Sequence, residues 1–205
     1  MHRIRGLKGV VLASLCALLI VLAGTFRTDS AAGAAEKSEY RVGDRLPQKA
    51  PGGSSAFKEI PWEALMPKDW NPARDFEKLD LSSLSDSDPR ATKALEELRK
   101  AMDNAPIVQT LNGSRVRIAG FMVPLDGLRG EITEFLLVPY FGACIHTPPP
   151  PANQIIHVLP VKPVKIDQGM EAVWINGVLE TTRSETGLGH AGYRMKAELV
   201  SAFKR

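Results

Sequence analysis

The stretch "GYRMKAELV", residues 192–200, decides what kind of chain this is. Tyr193, Met195, Ala197 and Leu199 alternate with Arg194, Lys196 and Glu198. A period of two puts the first set on one side of an extended chain and the second on the other, the pattern of a strand with one buried face. Upstream, "AVWINGVLETT" (172–182) reads as another strand, with Asn176-Gly177 as either a bulge or a turn. "TEFLLVPYF" (133–141) and "QIIHVLPV" (154–161) are strands flanking a run of prolines, and "SRVRIAGFMVPL" (114–125) alternates from Arg115 to Ile118. "IVQTL" (107–111) reads as a strand meeting Asn112-Gly113, a tight-turn dipeptide. Pro124, Pro139 and Pro160 belong at edges or bulges, because proline cannot donate to a ladder. Five or six short strands after a helical region predict a mostly β fold: a small antiparallel, OB-like barrel or a curled sheet.

The β domain is expected over residues 105–205. Residues 61–104 are expected to be a helical segment packed on it. Pro61 starts a short helix that Pro67 ends, and Trp62 and Trp70 are packing anchors forming a lid over the core. A longer helix follows, capped by Asp88 with Pro89 in its first turn. Ala91, Leu95, Leu98 and Met102 recur at helical spacing and form its apolar stripe. Residues 35–60, rich in Gly, Pro, Ser and Lys, read as a flexible linker.

Residues 1–34 begin with a basic stretch, "MHRIRGLKG", and continue into the apolar run "VVLASLCALLIVLAG" and then small polar residues. That order is the order of a secretory signal, with cleavage expected near Ala34. The alternative is an uncleaved anchor in the inner membrane, its basic end inside and the rest of the chain facing the periplasm. Either way the expected location is periplasmic, and the membrane is met only through this segment. The chain has 26 Lys and Arg against 23 Asp and Glu, but Arg3, Arg5, Lys8 and Arg27 lie in the first 34 residues, with Asp29 their sole acid. The remainder is formally neutral, so no nucleic-acid partner is expected. Cys16 also lies in the targeting segment. Cys144 is therefore the single cysteine of the exported part, and an intrachain disulfide there is ruled out.

Cys144, His146 and His157 fall within one predicted hairpin, "FGACIHTPPPPANQIIHV" (141–158). Residues i and i+2 of an extended chain point to the same side, so Cys144 and His146 can aim a thiolate and an imidazole at one point. His157 is on the returning strand. Such ligands suit zinc first and copper second. Pro148, Pro149, Pro150 and Pro151 form a stiff bridge that reduces the entropy lost when the ligands converge. Asn153 and Gln154 either bond the loop back or support the ligands as outer partners. His190, within "GLGHAGYRM", is a fourth ligand or a solvated loop residue, and Met122 and Met195 occupy core positions. Three other readings stay open: Cys144 and the histidines as packed core residues, the proline run as a partner's docking strip, and a Cys–His nucleophilic pair. No HExxH-type base is present, so the reading leans away from an enzyme.

The same stretch, with "GFMVPLD" before it and "VWINGVL" and "AGYRMKA" after it, resembles a bacterial family of exported proteins of unknown function, domain of unknown function 3299. Its mark is Cys-x-His followed by a proline run and Asn-Gln. The resemblance covers roughly the last half of the chain, with weaker support from "WEALMPKDW", and marks Cys144, His146, Pro148 to Pro151, Asn153, Gln154 and His157. It implies zinc handling beside a metal-uptake transporter or another exported metal protein.

Overall fold

The computed structural model of the chain describes residues 40–47, 56–71, 88–128, 130–144, 149–165 and 171–203, all within one compact unit, Glu39–Arg205. The signal or anchor expected over 1–34 lies outside the described residues, as do His146, Pro148 and part of the expected linker. Among the described residues, no helix is long and apolar enough to cross a membrane.

Among the described residues nine strands follow one another: β1 (Lys58–Glu59), β2 (Ser114–Leu128), β3 (Glu131–Val138), β4 (Ile156–Pro160), β5 (Val164–Lys165), β6 (Ala172–Glu180), β7 (Ser184–Thr186), β8 (Gly189–Ala191) and β9 (Tyr193–Ala202). Five of them close a barrel in the order β2-β6-β9-β4-β3, with β3 returning to β2. The β4–β9 pair is parallel and the other four barrel pairs are antiparallel. The expected OB-like barrel is thus the fold. The short strands β1 and β5 pair with β2 and β3, and β7–β8 is a separate hairpin.

Closure depends on β2. Its first half pairs with β6 and its second with β3, changing partner at Phe121. The bend needs Gly120, where a Cβ would stand 2.8 Å from both Leu137 Cγ and the Val138 carbonyl and 2.9 Å from the Trp62 ring. Both faces of β2 are buried. Val116, Ile118 and Met122 point into the barrel, while Ala119, Phe121 and Val123 pack under an outer layer that includes Leu46 and Ala143. This is why "IAGFMV" is continuously apolar where a one-sided strand would alternate. Residues 40–47, read from composition as linker, belong to that outer layer. Gly43 donates to the Phe141 carbonyl at 2.9 Å, Phe141 to that of Asp44 at 2.9 Å, and Tyr40 meets the Phe121 ring edge-on at 5.0 Å.

The lid is present. A 3₁₀ turn, Trp62–Leu65, buries Trp62 and Leu65 against the barrel, and the indole N–H donates to the Ala119 carbonyl at 2.7 Å. Trp70 is half-buried. The one α-helix among the described residues, α1 (Pro89–Asp103), starts as expected, with the Asp88 carboxylate accepting the Arg90 N–H at 2.8 Å. Its inward face differs from the expected stripe by one position. Ala94 is buried and Leu95 is 67 % exposed, while Ala91, Leu98, Ala101 and Met102 are half-buried.

Two strand readings are corrected. "IVQTL" is no strand: Gln109–Leu111 form a 3₁₀ turn, and the Val108 N–H is taken by the Tyr193 hydroxyl at 2.7 Å, which leaves no ladder to join. The alternation of β9 also breaks. Asn176 pairs with Leu199 and Gly177 with Ala197, so Glu198 is the extra residue of a bulge. Past it the phase shifts: Leu199 is 55 % exposed and Val200 packs against the inner core. The Asn176-Gly177 alternative thus resolves as a bulge, where a Cβ on Gly177 would strike the Lys196 carbonyl. Pro124 also adjoins a register shift, Pro160 ends β4, and Pro139 follows β3.

Candidate functional site

The expected hairpin forms. Phe135, Leu136 and Leu137 of β3 pair with Val158, His157 and Ile156 of β4. Phe135, Leu137, Ile156 and Val158 face the barrel core, so strand alternation turns Glu134, Leu136 and His157 to the outer face. There His157, only 7 % exposed, has both ring nitrogens engaged. Nε2 lies 2.6 Å from Glu134 Oε1 and Nδ1 lies 2.9 Å from Ser184 Oγ. An ionised carboxylate only accepts, so Nε2 carries a proton and donates it to Glu134. In the neutral ring Nδ1 then keeps its lone pair and accepts the Ser184 hydroxyl proton.

Ser184 is the first residue of the β7–β8 hairpin, which is fixed from several sides. Arg183 donates to the carbonyls of Asp103, Asn104 and Ala105 at 3.2, 3.2 and 2.6 Å, closing the C-terminal end of α1 with a cation. Thr186 donates its hydroxyl proton to the Gly189 carbonyl at 2.8 Å. Gly192 donates to the Ala152 carbonyl at 2.6 Å; here a Cβ would crowd that oxygen and Ile107. His190, expected in a loop, lies on β8 with Nε2 3.8 Å from Asp103 Oδ2. Arg194 is the register partner of His157 across the parallel pair and of Glu180 across β6. Tyr193 and Met195 point inward, so Arg194 shares the outer face with His157. Its Nε is buried without a hydrogen-bond partner.

Cys144 closes the near end of the proline loop. Its φ of 65° is the left-handed region, unusual for a side chain other than glycine and a local cost of about 1 kcal/mol. The thiol packs against the outer cluster that contains Leu136, Ile155 and Ala191. Leu136 is the register partner of His157, and Ala191 is that of Ser184. Cys144 and His157 therefore border one apolar cluster, but His157 bonds to Glu134 and Ser184, not to the thiol. Burial pushes the Cys144 pKa up to about 11, which keeps the group a protonated thiol at neutral pH.

At the far end of the loop, Asn153 donates to the Pro106 carbonyl at 2.9 Å, and Gln154 donates to those of Trp62 at 2.9 Å and Asn153 at 3.1 Å. Gln154 thus ties the loop to the lid, and Asn153 ties it to the segment after α1. Asn153 Oδ1 is buried with no partner. Pro149 is exposed, Pro151 half-buried and Pro150 buried. Met122 and Met195 are core residues. Among the described residues, no three His, Cys, Asp or Glu are grouped so as to hold a metal ion.

Sequence reasoning missed Glu134 and Ser184. Glu134 was accessible in principle, since it shares its alternation phase with Leu136 and the hairpin brings that phase to His157. Ser184 carries no local signal; it arrives from the far side of β6.

The sequence profile of a family described as protein of unknown function (DUF3299) matches residues 62–202. The chain is similar to a crystal structure of a DUF3299 family protein from Pseudomonas aeruginosa PAO1, at 34 % identity and a TM-score of 0.58, over 74 % of this chain and 99 % of the other. The chain matches no curated protein.

Proposed function

For this chain, which belongs to the DUF3299 family, we propose an exported, periplasmic metal-binding accessory function, with zinc as the first metal and copper as the second. Cys144, His146 and His157 are the ligands of this reading. The observation that carries it is the 2.6 Å contact between Glu134 Oε1 and His157 Nε2. A metal-bound histidine almost always gives its other ring N–H to a carboxylate or carbonyl, which fixes the tautomer and raises ligand basicity. Glu134 does this to His157 and leaves Nδ1 as the coordinating nitrogen. Cys144 borders the same apolar cluster, and a metal supplies the charge that its deprotonation needs. Ser184 must then leave Nδ1 when metal binds. Binding also releases the thiol proton, so affinity rises with pH.

Three protein ligands leave a position for a partner's ligand, which suits transfer to another exported metal protein or to an uptake transporter. The docking-strip alternative has less to stand on, since Pro149 alone is exposed among the three described prolines of the run. The test is zinc titration against a competing chelator. Cys144→Ser and His157→Ala lose most of the affinity, and Glu134→Gln loses about 10- to 100-fold. Equal affinities for wild type and all three variants refute the reading.

A further inference from the structure

We propose that Glu134, His157 and Ser184 form a nucleophile relay, with Ser184 attacking the acyl carbon of small anionic esters. The inference does not depend on metal binding. Its basis is a directed chain of two hydrogen bonds across three separate elements: Glu134 on β3, His157 on β4 and Ser184 on β7. A hydroxyl is a weak nucleophile until a neighbouring base takes its proton, and the base must itself be oriented by a third group. His157 Nδ1 lies 2.9 Å from Ser184 Oγ, within proton-transfer reach, and Glu134 sets the tautomer that makes Nδ1 the basic nitrogen. The two ring nitrogens exchange the roles they have in the serine protease triad, where Nε2 is the base.

Burial suits these roles. The imidazole is nearly closed to water, so its bonds act in a low local dielectric. Ser184 is half-buried, more open to solvent than the imidazole it contacts. The bonds from Arg183 to the end of α1 hold the hydroxyl in place before any substrate arrives. Arg194 selects the substrate class. Its guanidinium is always charged, stands beside His157 on the outer face, and has a buried Nε without a partner. A carboxylate near the acyl carbon of the ester is drawn by that charge.

The step balances. The Ser184 Oγ–H proton passes to His157 Nδ1 as Oγ bonds to the acyl carbon. The alcohol leaves as the C–O bond breaks and takes the proton back from Nδ1. Water then attacks the acyl-serine, gives one proton to Nδ1, and releases the carboxylic acid as that proton returns to Oγ. Ester and water become acid and alcohol. Ser184 and His157 are the catalytic residues; Glu134 is a positioning residue.

The decisive experiment treats wild-type protein, stripped of metal by chelator, with a fluorophosphonate probe and maps the adduct by peptide mass spectrometry. This readout needs no variant to fold. Phosphonylation at Ser184, and not at exposed Ser201, is expected; labelled protein without an adduct at Ser184, or none at all, overturns the relay. Hydrolysis of p-nitrophenyl succinate then separates the roles. Ser184→Ala falls to the uncatalysed rate. Glu134→Gln, which keeps an acceptor oxygen but loses the charge, lowers kcat about 100-fold with KM unchanged. Arg194→Gln raises KM for the succinate ester and leaves that for p-nitrophenyl butyrate alone. A clasp that only holds the hairpin lowers the unfolding temperature of these variants while kcat stays at the wild-type value, and that pattern also overturns the proposal.

Discussion

The Tyr193 hydroxyl donates to the Leu65 carbonyl at 2.7 Å, from inside the barrel to the lid that plugs it. The same oxygen accepts the Val108 N–H at 2.7 Å, so one side chain of β9 satisfies two backbone groups on segments that join no strand. Tyr193→Phe keeps the ring and leaves both groups unpaired. A loss of about 1–3 kcal/mol is expected, read from urea unfolding with an unchanged slope.

Gly120 is where β2 changes partner. Gly120→Ala places a methyl group against Leu137, the Val138 carbonyl and Trp62, and the carbonyl, being backbone, cannot move without opening the sheet. Destabilisation of about 1–3 kcal/mol follows. The same substitution at Gly113, which has open space but a φ of +75°, carries only backbone strain and costs less. Parallel thermal melts of the two variants check the order.

The Cys144 thiol ionises more readily unfolded than folded, since burial raises its pKa from 9.0 to about 11. The folded state binds the proton more tightly, so this group's contribution is intact below pH 9 and is lost as pH rises toward 11. Alkylation by iodoacetamide at pH 8, mapped to the Cys144 peptide, is expected to be slow in native protein and fast in urea, the two converging near pH 11. Equal rates at pH 8 contradict the burial argument.

His157 and His190 separate under cobalt substitution. His157→Ala removes a proposed ligand and abolishes the thiolate–cobalt visible bands. His190→Ala, on β8 beside Asp103, leaves them unchanged. The reverse pattern moves the metal site to the hairpin.

Zinc and the Ser184 hydroxyl compete for one lone pair, that of His157 Nδ1. Zinc is therefore expected to slow phosphonylation of Ser184, and Ser184→Ala to raise zinc affinity. If labelling proceeds at the same rate in saturating zinc, the metal does not use His157.

The barrel was legible because the phase of a strand is written in its side chains: β9 alternates cleanly as far as Ala197, and Asp88-Pro89 announces α1. The misreadings share a cause in long-range contacts. "IVQTL" has strand composition, but the Tyr193 hydroxyl claims its Val108 N–H. Leu95 fits a helical stripe, yet the shallow docking of α1 favours the small Ala94. Leu199 follows the alternation on paper and is turned outward by one extra residue at Glu198. Of the site, the clustering of Cys144 and His157 around one hairpin was readable from spacing. The bonds that orient His157 were not, because Ser184 reaches it only after β6 has crossed the barrel.

The placement of β9 dictates an order of assembly. Its neighbours, β4 and β6, both precede it in the chain, and among the described strands no pairing joins them directly. A chain in which β2 through β6 have paired has two open sheet edges, on β4 and on β6, that cannot meet until β9 slots between them. Until then the apolar faces of β2 stay open to water and to neighbouring chains. Insertion of β9 is thus the step that commits the barrel to close, and any holdase acting on this chain acts before it.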